Sequence, residues 1–325
     1  MSNLTNDTRN DCELMDACGA VKMVLKPKDT DLGGFSVRRL LPTAQLKMIG
    51  PWIFFDHMGP ASFAPGPGIN VRPHPHIGIA TVTYLFAGEI LHRDSLASVQ
   101  PIKPGDINLM VSGSGIVHSE RERPEATAHA RNLNGLQLWL ALPKEQEEMD
   151  PAFYHYPASS VPLVNIDGVP VRVMMGSAYG VESPVHTFSN TLYLEAVLKP
   201  GESLTLPPCA ELGLYVVRGH LKAKDTNIPE HCMAVFSDTH DISAGVTVTA
   251  SEDSRIALIG GEPLGKRFIE WNFVSSRKER IEQAKDDWQN GRFAKVPGDE
   301  QELFRCPNEH VMLPLIAIPF LFLPA

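Results

Sequence analysis

Short segments in which polar and apolar residues alternate run along most of the chain from about residue 21. The segment TVTYLFAGEILH alternates with a period of two and turns at Ala87, Gly88 and Glu89. INLMVSGSGIVHSE predicts two strands separated by a Gly-rich break, and LNGLQLWLALP predicts a third strand. Strands between frequent Gly and Pro residues, with almost no helical periodicity, predict an all-β sandwich or barrel.

A second block of the chain repeats this pattern of strand, hairpin and strand. Its segments are TLYLEAVLKPGESLTLP, ELGLYVVRGHLKAKD and VTVTASEDSRIALIGGEPLG. The piece LYVVRGHLKAKD is similar to VTYLFAGEILHRD, and Gly219 then takes the position of Gly88. We interpret this similarity as a weak internal duplication of one β-barrel module, with the boundary in the Pro-rich and Gly-rich stretch 155–190.

One segment near the C-terminus has the periodicity of a helix. SSRKERIEQAKDDWQNGRF places Ile281, Ala284 and Trp288 at i, i+3 and i+7 among charged residues. We expect Ser275 or Ser276 to cap the N-terminus of this helix and Gly291 to follow its last residues. An amphipathic helix of this kind most often covers a sheet or one end of a barrel.

The two ends of the chain differ from the rest. Residues 1–18 are polar and acidic, and they lack the apolar run of a secretory signal, so we expect a flexible arm. The last residues, VMLPLIAIPFLFLPA, are strongly apolar, but Pro314 and Pro319 interrupt them. A membrane-spanning helix needs about 20 apolar residues. We therefore expect no membrane span, and interpret the tail as an interface segment, a loosely packed arm or an atypical chain end.

Composition and charge narrow the choice of partners and compartment. The 325 residues carry a formal charge of −9, which argues against direct binding to a nucleic-acid backbone but leaves a protein partner open. The five cysteines are odd in number, and no two have CxxC spacing. This pattern favours free thiols in a reducing compartment, so a cytoplasmic location is expected.

Two clusters of polar residues point to a metal site. His74 and His76 lie in RPHPHIG, and His118 and Glu120 lie in GIVHSER, each pair with i, i+2 spacing. Because strand side chains alternate between faces, each pair lies on one face of its strand. Two neighbouring strands then aim three imidazoles and one carboxylate at one point. That set suits a divalent transition metal inside a barrel, with room for a substrate.

The same segments carry a resemblance to a known family. RPHPHIGIATVTYLFAGEILHRDS, KPGDINLMVSGSGIVHSER and LQLWLALP occur in the order and at the separations of the pirin family, which belongs to the cupin superfamily. PLGKRFIEWNFVSSRKERIEQAKDDWQNGRF is also similar to the C-terminal end of pirins. The resemblance covers about residues 19–299.

The resemblance implies two jelly-roll barrels in tandem with a short C-terminal helix. The expected organisation is an N-terminal metal-binding cupin at 19–165, a C-terminal metal-free cupin at 166–265, and a helical segment at 266–299 that packs back on the barrels. Residues 1–18 form the arm, and residues 300–325 form the apolar tail.

The resemblance also implies a cofactor and a reaction. Pirins bind iron through the two histidines of HPH and the His and Glu of HSE, which here are His74, His76, His118 and Glu120. Several pirins are quercetin 2,3-dioxygenases, so one Fe(II) per chain, a flavonol-like substrate and O2 are expected. Mn, Ni, Co and Cu remain open because imidazole and carboxylate accept them all.

For flavonol cleavage we expect Glu120 to act as the catalytic base that removes a proton from a substrate hydroxyl. The alternative function is that of an iron-binding regulatory protein that modulates a transcription factor or a metabolic enzyme. A substrate-sized opening above the metal favours the enzyme, whereas a nearly sealed site is compatible with a sensor.

Three positions depart from the common family pattern. Ala80 replaces a frequent Glu, and we expect this change to alter the polarity of the cavity beside the metal. Ala97 stands where the family usually has Gly, and Ser114 stands where a larger basic residue is common. Either change is expected to reshape a loop at the mouth of the barrel.

Several residues outside the two clusters also have expected places in the fold. His57 either lines the mouth of the site or is a structural loop residue, the latter being favoured. We expect His92 on the exterior, and Arg93 and Asp94 as a local ion pair. Phe86 and Met110 are expected in the core or the pocket wall.

The second barrel lacks an HPH equivalent and is expected to be free of metal. SLTLPPCAELG offers Cys209 and Glu211 but no imidazole, and His240 is followed by Asp241, which cannot share its strand face. Apolar residues should fill its interior instead: Leu212, Leu214, Val216, Ile256 and Leu258.

Overall fold

The computed structural model of the chain describes residues 14–15, 21–31, 36–236 and 245–306. In the first part these residues form β1 (Leu14–Met15), β2 (Val21–Leu25), β3 (Lys28–Asp31), β4 (Ser36–Leu41), β5 (Trp52–Phe63), β6 (Val71–His76), β7 (Ile79–Ala87), β8 (Ile90–Asp94), β9 (Val99–Ile102), β10 (Ile107–Val111), β11 (Ile116–Arg121), α1 (Pro124–Thr127), β12 (Arg131–Ala141) and β13 (Ala152–Tyr156).

The second part continues with β14 (Leu163–Ile166), β15 (Val169–Met175), β16 (Ser177–Ala178), β17 (Val181–Glu182), β18 (Thr191–Leu198), β19 (Ser203–Leu206), β20 (Glu211–Arg218), β21 (Leu221–Ala223), β22 (Thr226–Ile228), β23 (Met233–Phe236), β24 (Val246–Ala250), β25 (Ser254–Gly261), β26 (Phe268–Glu270), β27 (Phe273–Ser275) and α2 (Lys278–Gln289). Short 3-10 turns occur at Lys144–Gln146 and Ala158–Ser160.

The first barrel consists of two antiparallel sheets. The larger sheet has the order β13-β10-β7-β12-β5-β4-β3, and the smaller has the order β6-β11-β8-β9. The hairpin from β7 to β8 crosses from one sheet to the other at Gly88, whose φ is +90°. A Cβ there would lie 2.4 Å from the carbonyl oxygen of Asn132, so only glycine fits this crossing.

The second barrel has the same construction. Its sheets have the orders β1-β2-β23-β20-β25-β18-β15-β14 and β19-β24-β21-β22. Gly219, between β20 and β21, has a φ of +92° and repeats the role of Gly88. The five apolar residues expected in this barrel all lie in one buried cluster between its sheets, as predicted. The all-β fold with two tandem barrels and a short C-terminal helix is therefore confirmed.

The larger sheets of the two barrels pack face to face through an apolar layer. Leu109, Val82 and Leu138 of the first barrel join Tyr193 and Ile259 of the second in one buried cluster. The indole Nε1 of Trp52 donates to the carbonyl oxygens of Leu192 and Gly260, at 3.2 and 3.1 Å. Successive side chains of a strand point to opposite faces of its sheet. One face of each large sheet therefore packs against the other barrel, and the opposite face lines the interior of its own barrel.

The start of the chain crosses between the barrels. β2 lies in the range expected for the first barrel, but it pairs with β23 in the large sheet of the second. Sequence pattern alone does not reveal this exchange, because β2 has the same alternation as its neighbours. The exact domain boundaries stay a prediction, and most of arm 1–18 and residues 307–325 of the tail lie outside the described residues.

The C-terminal helix packs as predicted, but its cap differs. Ile281 and Ala284 of α2 are buried, and Gly291 follows the helix with a φ of +65°. The N-cap residue is Arg277, without a side-chain cap, so the prediction of Ser275 or Ser276 is wrong. Both serines instead donate to Glu147, at 3.1 Å from Ser275 Oγ and 2.9 Å from Ser276 Oγ. Among the described residues, no helix is both long and apolar enough to cross a bilayer.

Candidate metal centre

Two adjacent strands of the smaller sheet carry the histidines. β6 and β11 run antiparallel, with His118 opposite His74 and Ile116 opposite His76. The i, i+2 spacing in β6 puts His74 and His76 on the face where His118 also points. All three side chains are buried, and their exposed fractions are 0%, 0% and 1%.

The ring nitrogens of these histidines converge. One ligand atom from each of His74, His76 and His118 lies within 4.8 Å of the others. His76 Nε2 and His118 Nε2 are 3.1 Å apart. Two nitrogen ligands of one ion, each about 2.0–2.1 Å from it, lie about 3 Å apart. The same pair can share a hydrogen bond when His118 carries its proton on Nε2, and a bound ion would replace that proton.

Backbone carbonyls set the tautomers of the two β6 histidines. His74 Nδ1 lies 2.8 Å from the carbonyl oxygen of Arg72, and His76 Nδ1 lies 3.2 Å from that of Asn272. A carbonyl only accepts, so each Nδ1 donates and each Nε2 keeps its lone pair. Burial lowers the pKa of His74 to about 3 and holds the pKa values of His76 and His118 well below their usual range.

The donor set fits a divalent metal. His74 Nε2 is buried and has no hydrogen-bond partner among the described residues. An unpartnered buried acceptor costs about 1–3 kcal/mol unless a ligand or water satisfies it. A neutral imidazole that is fixed by a second-nitrogen hydrogen bond is the usual form of a metal ligand. The three histidines therefore have the protonation state, the orientation and the spacing that an ion needs.

Glu120, the fourth predicted ligand, lies two residues after His118 on β11. It is buried, with 1% of its surface exposed. The register shifts between His118 and Glu120, so that Glu120 pairs with Val71 of β6 and with His92 of β8. The group of converging ligand atoms consists of the three histidines without Glu120. Its roles as ligand and base therefore stay a prediction.

His92 and Asp94 also lie inside the barrel, which corrects the expectation of an exterior His92. They are 3% and 0% exposed, and Asp94 pairs with His118 across β8 and β11. His92 Nε2 is 3.0 Å from Asp94 Oδ2, whereas Asp94 Oδ1 accepts from the backbone N–H groups of Leu96 and Ser98.

The expected Arg93–Asp94 ion pair is replaced by these contacts. Burial raises the pKa of Asp94, but the bonds from His92 and Ser98 outweigh it and leave the pKa below its usual value. The signal for this correction was present in the sequence, because His92 and Asp94 also have i, i+2 spacing on a strand.

The inner face of the larger sheet forms the opposite wall. Trp139 lies beside His76, with ring centroids 4.9 Å apart, and stacks on Phe54 at 3.9 Å. Gln137 accepts a hydrogen bond from Thr83 Oγ1 at 2.8 Å. The amide nitrogens of Gln137 and Asn108 are buried and have no acceptor among the described residues. Both are thus available to a polar ligand or water inside the barrel.

Ala80 does not line the metal cavity, contrary to the expectation from the family pattern. It lies with Val82 and Tyr84 in the apolar layer between the barrels. Its neighbour Thr81, pointing the other way, faces the barrel interior. The substitution at position 80 therefore leaves the polarity of the metal cavity unchanged.

The other two departures lie in loops, and Phe86 and Met110 lie where they were expected. Ser114 is exposed, and its carbonyl oxygen accepts from Arg280 of α2 at 2.7 Å. Ala97 is exposed and has a φ of +66°, the left-handed region. Met110 is buried, and Phe86 packs against the layer between the barrels.

Replacing Ala97 with glycine should stabilise the protein. The left-handed conformation costs an L-residue about 1–2 kcal/mol, and the extra unfolded-state entropy of glycine cancels about 0.5–1 kcal/mol of that gain. We expect Ala97→Gly to raise the free energy of unfolding by about 0.5–1 kcal/mol in urea titrations. Ala44→Gly, at an exposed residue without a positive φ, should lower it. A loss of stability in Ala97→Gly would contradict this account.

His57 is a structural residue between the barrels and does not line the metal site. Its Nδ1 accepts from the Tyr215 hydroxyl at 2.7 Å, and its Nε2 donates to Asn134 Oδ1 at 2.7 Å. The side chain is fully buried. Burial lowers the pKa of His57 to about 4.

This burial predicts acid sensitivity. Between pH 6.5 and 4, His57 binds more protons in the unfolded state than in the folded state. The contribution of neutral His57 to the free energy of unfolding is therefore complete above that window, and it is lost as the pH falls through it. From pH 8 to pH 5, His57 alone should remove about 2 kcal/mol from the free energy of unfolding. Urea unfolding of the metal-free protein measures this change. His57→Gln should lack this part of the pH dependence, and an unchanged pH dependence in the variant would refute the assignment.

Comparison with known proteins identifies relatives across nearly the whole chain. The family model described as pirin matches residues 34–140, and the model of the pirin C-terminal cupin domain matches residues 193–294. A pirin-like protein of Caulobacter vibrioides is 44% identical over 292 residues, which cover 89% of this chain and all of the relative.

Two further relatives carry names that refer to an activity. A Pseudomonas aeruginosa protein, provisionally named as a quercetin 2,3-dioxygenase, is 38% identical, with 85% of this chain and 86% of the relative covered. The crystal structure of a quercetin 2,3-dioxygenase from Acinetobacter baumannii superposes with a TM-score of 0.79 at 31% identity. That match covers 87% of this chain and 94% of the other.

Proposed function

Because the chain belongs to the pirin family, we propose that it is a metal-dependent dioxygenase that opens the ring of a flavonol such as quercetin with O2. The observation that carries this proposal is the group of three buried histidines, whose ring nitrogens converge inside the first barrel. The names of the relatives from Pseudomonas aeruginosa and Acinetobacter baumannii support the choice of reaction.

Fe(II) is the metal that we assign to this site, one ion per chain. His74, His76 and His118 would hold it, with Glu120 as the fourth ligand. Nitrogen and carboxylate ligands with open positions suit non-haem Fe(II), whereas structural zinc sites are usually closed by four ligands. The bound ion would supply Lewis acidity and the redox chemistry that O2 requires.

Glu120 is the group that would take a proton from the substrate hydroxyl. Asp94 is the other buried carboxylate beside His118, but its oxygens already bind His92 and two backbone N–H groups. Its lowered pKa also makes it a weak base. Glu120 is instead assigned from its position, since it is buried on β11 two residues after His118. Gln137 and Asn108 would donate from the opposite wall to polar groups of the substrate and orient its rings against Trp139.

An anaerobic loading experiment tests this function. The purified protein is loaded with Fe(II) without oxygen and then mixed with quercetin and O2. We expect oxygen consumption with one CO released for each O2, and a ring-cleaved product that mass spectrometry identifies. Iron bound at one equivalent without turnover of quercetin or other flavonols would contradict the enzymatic proposal.

The burial of the site favours a second candidate function. The histidines are at most 1% exposed, and a sealed centre suits a regulatory protein whose iron state is read by a protein partner. Loss of partner capture from a lysate on chelation, in a protein without flavonol turnover, would support this alternative.

We place the protein in the cytoplasm. Cys209, Cys232 and Cys306 are buried, and the five cysteines are odd in number without CxxC spacing, which fits a reducing compartment. Fractionation of the producing cells tests this location.

A further inference from the structure

A strap formed by residues 296–306 lies against the first barrel beyond both family-matched ranges. Val296 and Cys306 are buried at its two ends. Asp299 accepts two hydrogen bonds from Arg121, at 2.9 Å from Nε and 2.7 Å from Nη2. The carbonyl oxygen of Gly298 accepts from Arg93 at 3.3 Å. The strap is thus attached to β8 and β11, the strands that carry the interior carboxylates and His118.

Phe304 of the strap lies against the metal centre. Its ring centroid is 5.9 Å from that of His74, in an edge-to-face arrangement. Its backbone N–H donates to the carbonyl oxygen of Pro73 at 3.0 Å, so the strap follows the edge strand β6. The carbonyl oxygen of Phe304 accepts from Trp288 Nε1 at 3.1 Å, and the guanidinium of Arg72 lies 4.8 Å from the ring.

The ring of Phe304 separates two environments. On one side it packs against the apolar cluster inside the first barrel, which includes Met58, Val71 and Ile90. On the other side it helps to line a cavity of about 530 Å³, together with Arg72 and Trp288. This cavity is large enough for a drug-sized aromatic molecule, since ligand pockets span about 300–1,000 Å³. Phe304 is therefore the side chain common to the cavity wall and the wall of the histidine site.

We propose that Phe304 is the access and specificity gate of the metal site. In the closed state its ring covers His74 and keeps the histidines out of solvent. When the ring turns outward, a planar aromatic substrate enters from the cavity and takes its place between Arg72 and His74. Arg72 then contacts the substrate ring or its phenolate, as it now contacts Phe304. This inference rests on the proposed dioxygenase function, although the gate itself is testable without turnover.

Chemical modification of the full-length metal-free protein measures the gate directly. Diethyl pyrocarbonate acylates accessible neutral imidazoles, and mass spectrometry of peptides gives the rate at His74. The exposed His186 serves as an internal standard. We expect Phe304→Ala to raise the rate at His74 by at least about tenfold, which corresponds to a change of 1.4 kcal/mol in the opening equilibrium.

Leu303→Ala is the matched control, because Leu303 is the exposed neighbour of Phe304. It should react at the wild-type rate. Asp299→Asn, which weakens the contact with Arg121, should also raise the rate and decides the question if Phe304→Ala fails to fold. If His74 is modified at the same rate in Phe304→Ala as in Leu303→Ala, the proposal is overturned. If Phe304→Ala does not fold, an equal rate in Asp299→Asn and wild type overturns it.

The failure of the gate and the failure of the proposed function are distinguishable. Faster modification of His74 without flavonol turnover in any variant leaves the gate in place and refutes the enzyme. Flavonol turnover with an unchanged rate of modification at His74 in Phe304→Ala refutes the gate and leaves the enzymatic function in place. If both hold, Phe304→Ala should lower the preference for planar flavonols over flavonol glycosides, measured as the ratio of kcat/KM values.

Discussion

Replacing His118 with alanine is expected to abolish stoichiometric metal binding while the fold persists. Its Nε2 lies 3.1 Å from that of His76, so the variant loses one of three converging ligand atoms. Even a change in a residue that only supports a ligand lowers metal affinity by about 10–100-fold, so loss of a ligand should exceed that range. Anaerobic Fe(II) titration followed by desalting and metal analysis measures the effect.

His186→Ala is the matched control, since it removes an exposed imidazole far along the chain from β6 and β11. That variant should keep one ion per chain. The far-ultraviolet circular dichroism and urea unfolding of His118→Ala should stay close to those of the metal-free wild type, because the buried clusters of both barrels are apolar. Full metal occupancy in a folded His118→Ala protein would refute the assigned site.

Replacing Glu120 with glutamine should lower turnover far more than it lowers metal content. The amide keeps the shape and one acceptor oxygen of the side chain but cannot take a proton. General base catalysis contributes about 10²–10⁴-fold, so kcat with quercetin should fall within that range. Stopped-flow measurement of oxygen consumption, with iron analysis of the same sample, separates the two effects.

Glu125→Gln removes an exposed carboxylate on α1 and should leave both turnover and iron content unchanged. If Glu120→Gln keeps wild-type turnover, another group is the base, and Asp94 becomes the next candidate. If Glu120→Gln loses iron as completely as His118→Ala does, Glu120 acts mainly as a ligand, and its assignment as base is wrong.

The metal-site histidines could be predicted because the strand period alone decides which side chains share a face. His74, His76 and His118 are close in sequence to Gly-rich turns, and their register follows once β6 and β11 pair. His92 and Asp94 have the same spacing in a strand, yet the hairpin that precedes them favours an exterior position for His92. A hairpin of this kind is typical of a solvent-facing element, whereas β8 is a central strand of the smaller sheet.

Other features depend on tertiary contacts that the local pattern does not contain. The family pattern predicts that Ala80 lines the cavity, but Ala80 packs in the apolar layer between the two barrels. β2 joins the second barrel although it precedes the first in the chain. Phe304 lies some 230 residues after His74, and no spacing rule connects them.

The most direct test of the metal centre is the position of iron in crystals of the Fe(II)-loaded protein. Anomalous diffraction at the iron edge locates the ion without reference to activity. The account predicts one peak per chain, bounded by the Nε2 atoms of His74, His76 and His118. A peak elsewhere in the chain, or a loaded crystal without a peak between these three nitrogens, would contradict it.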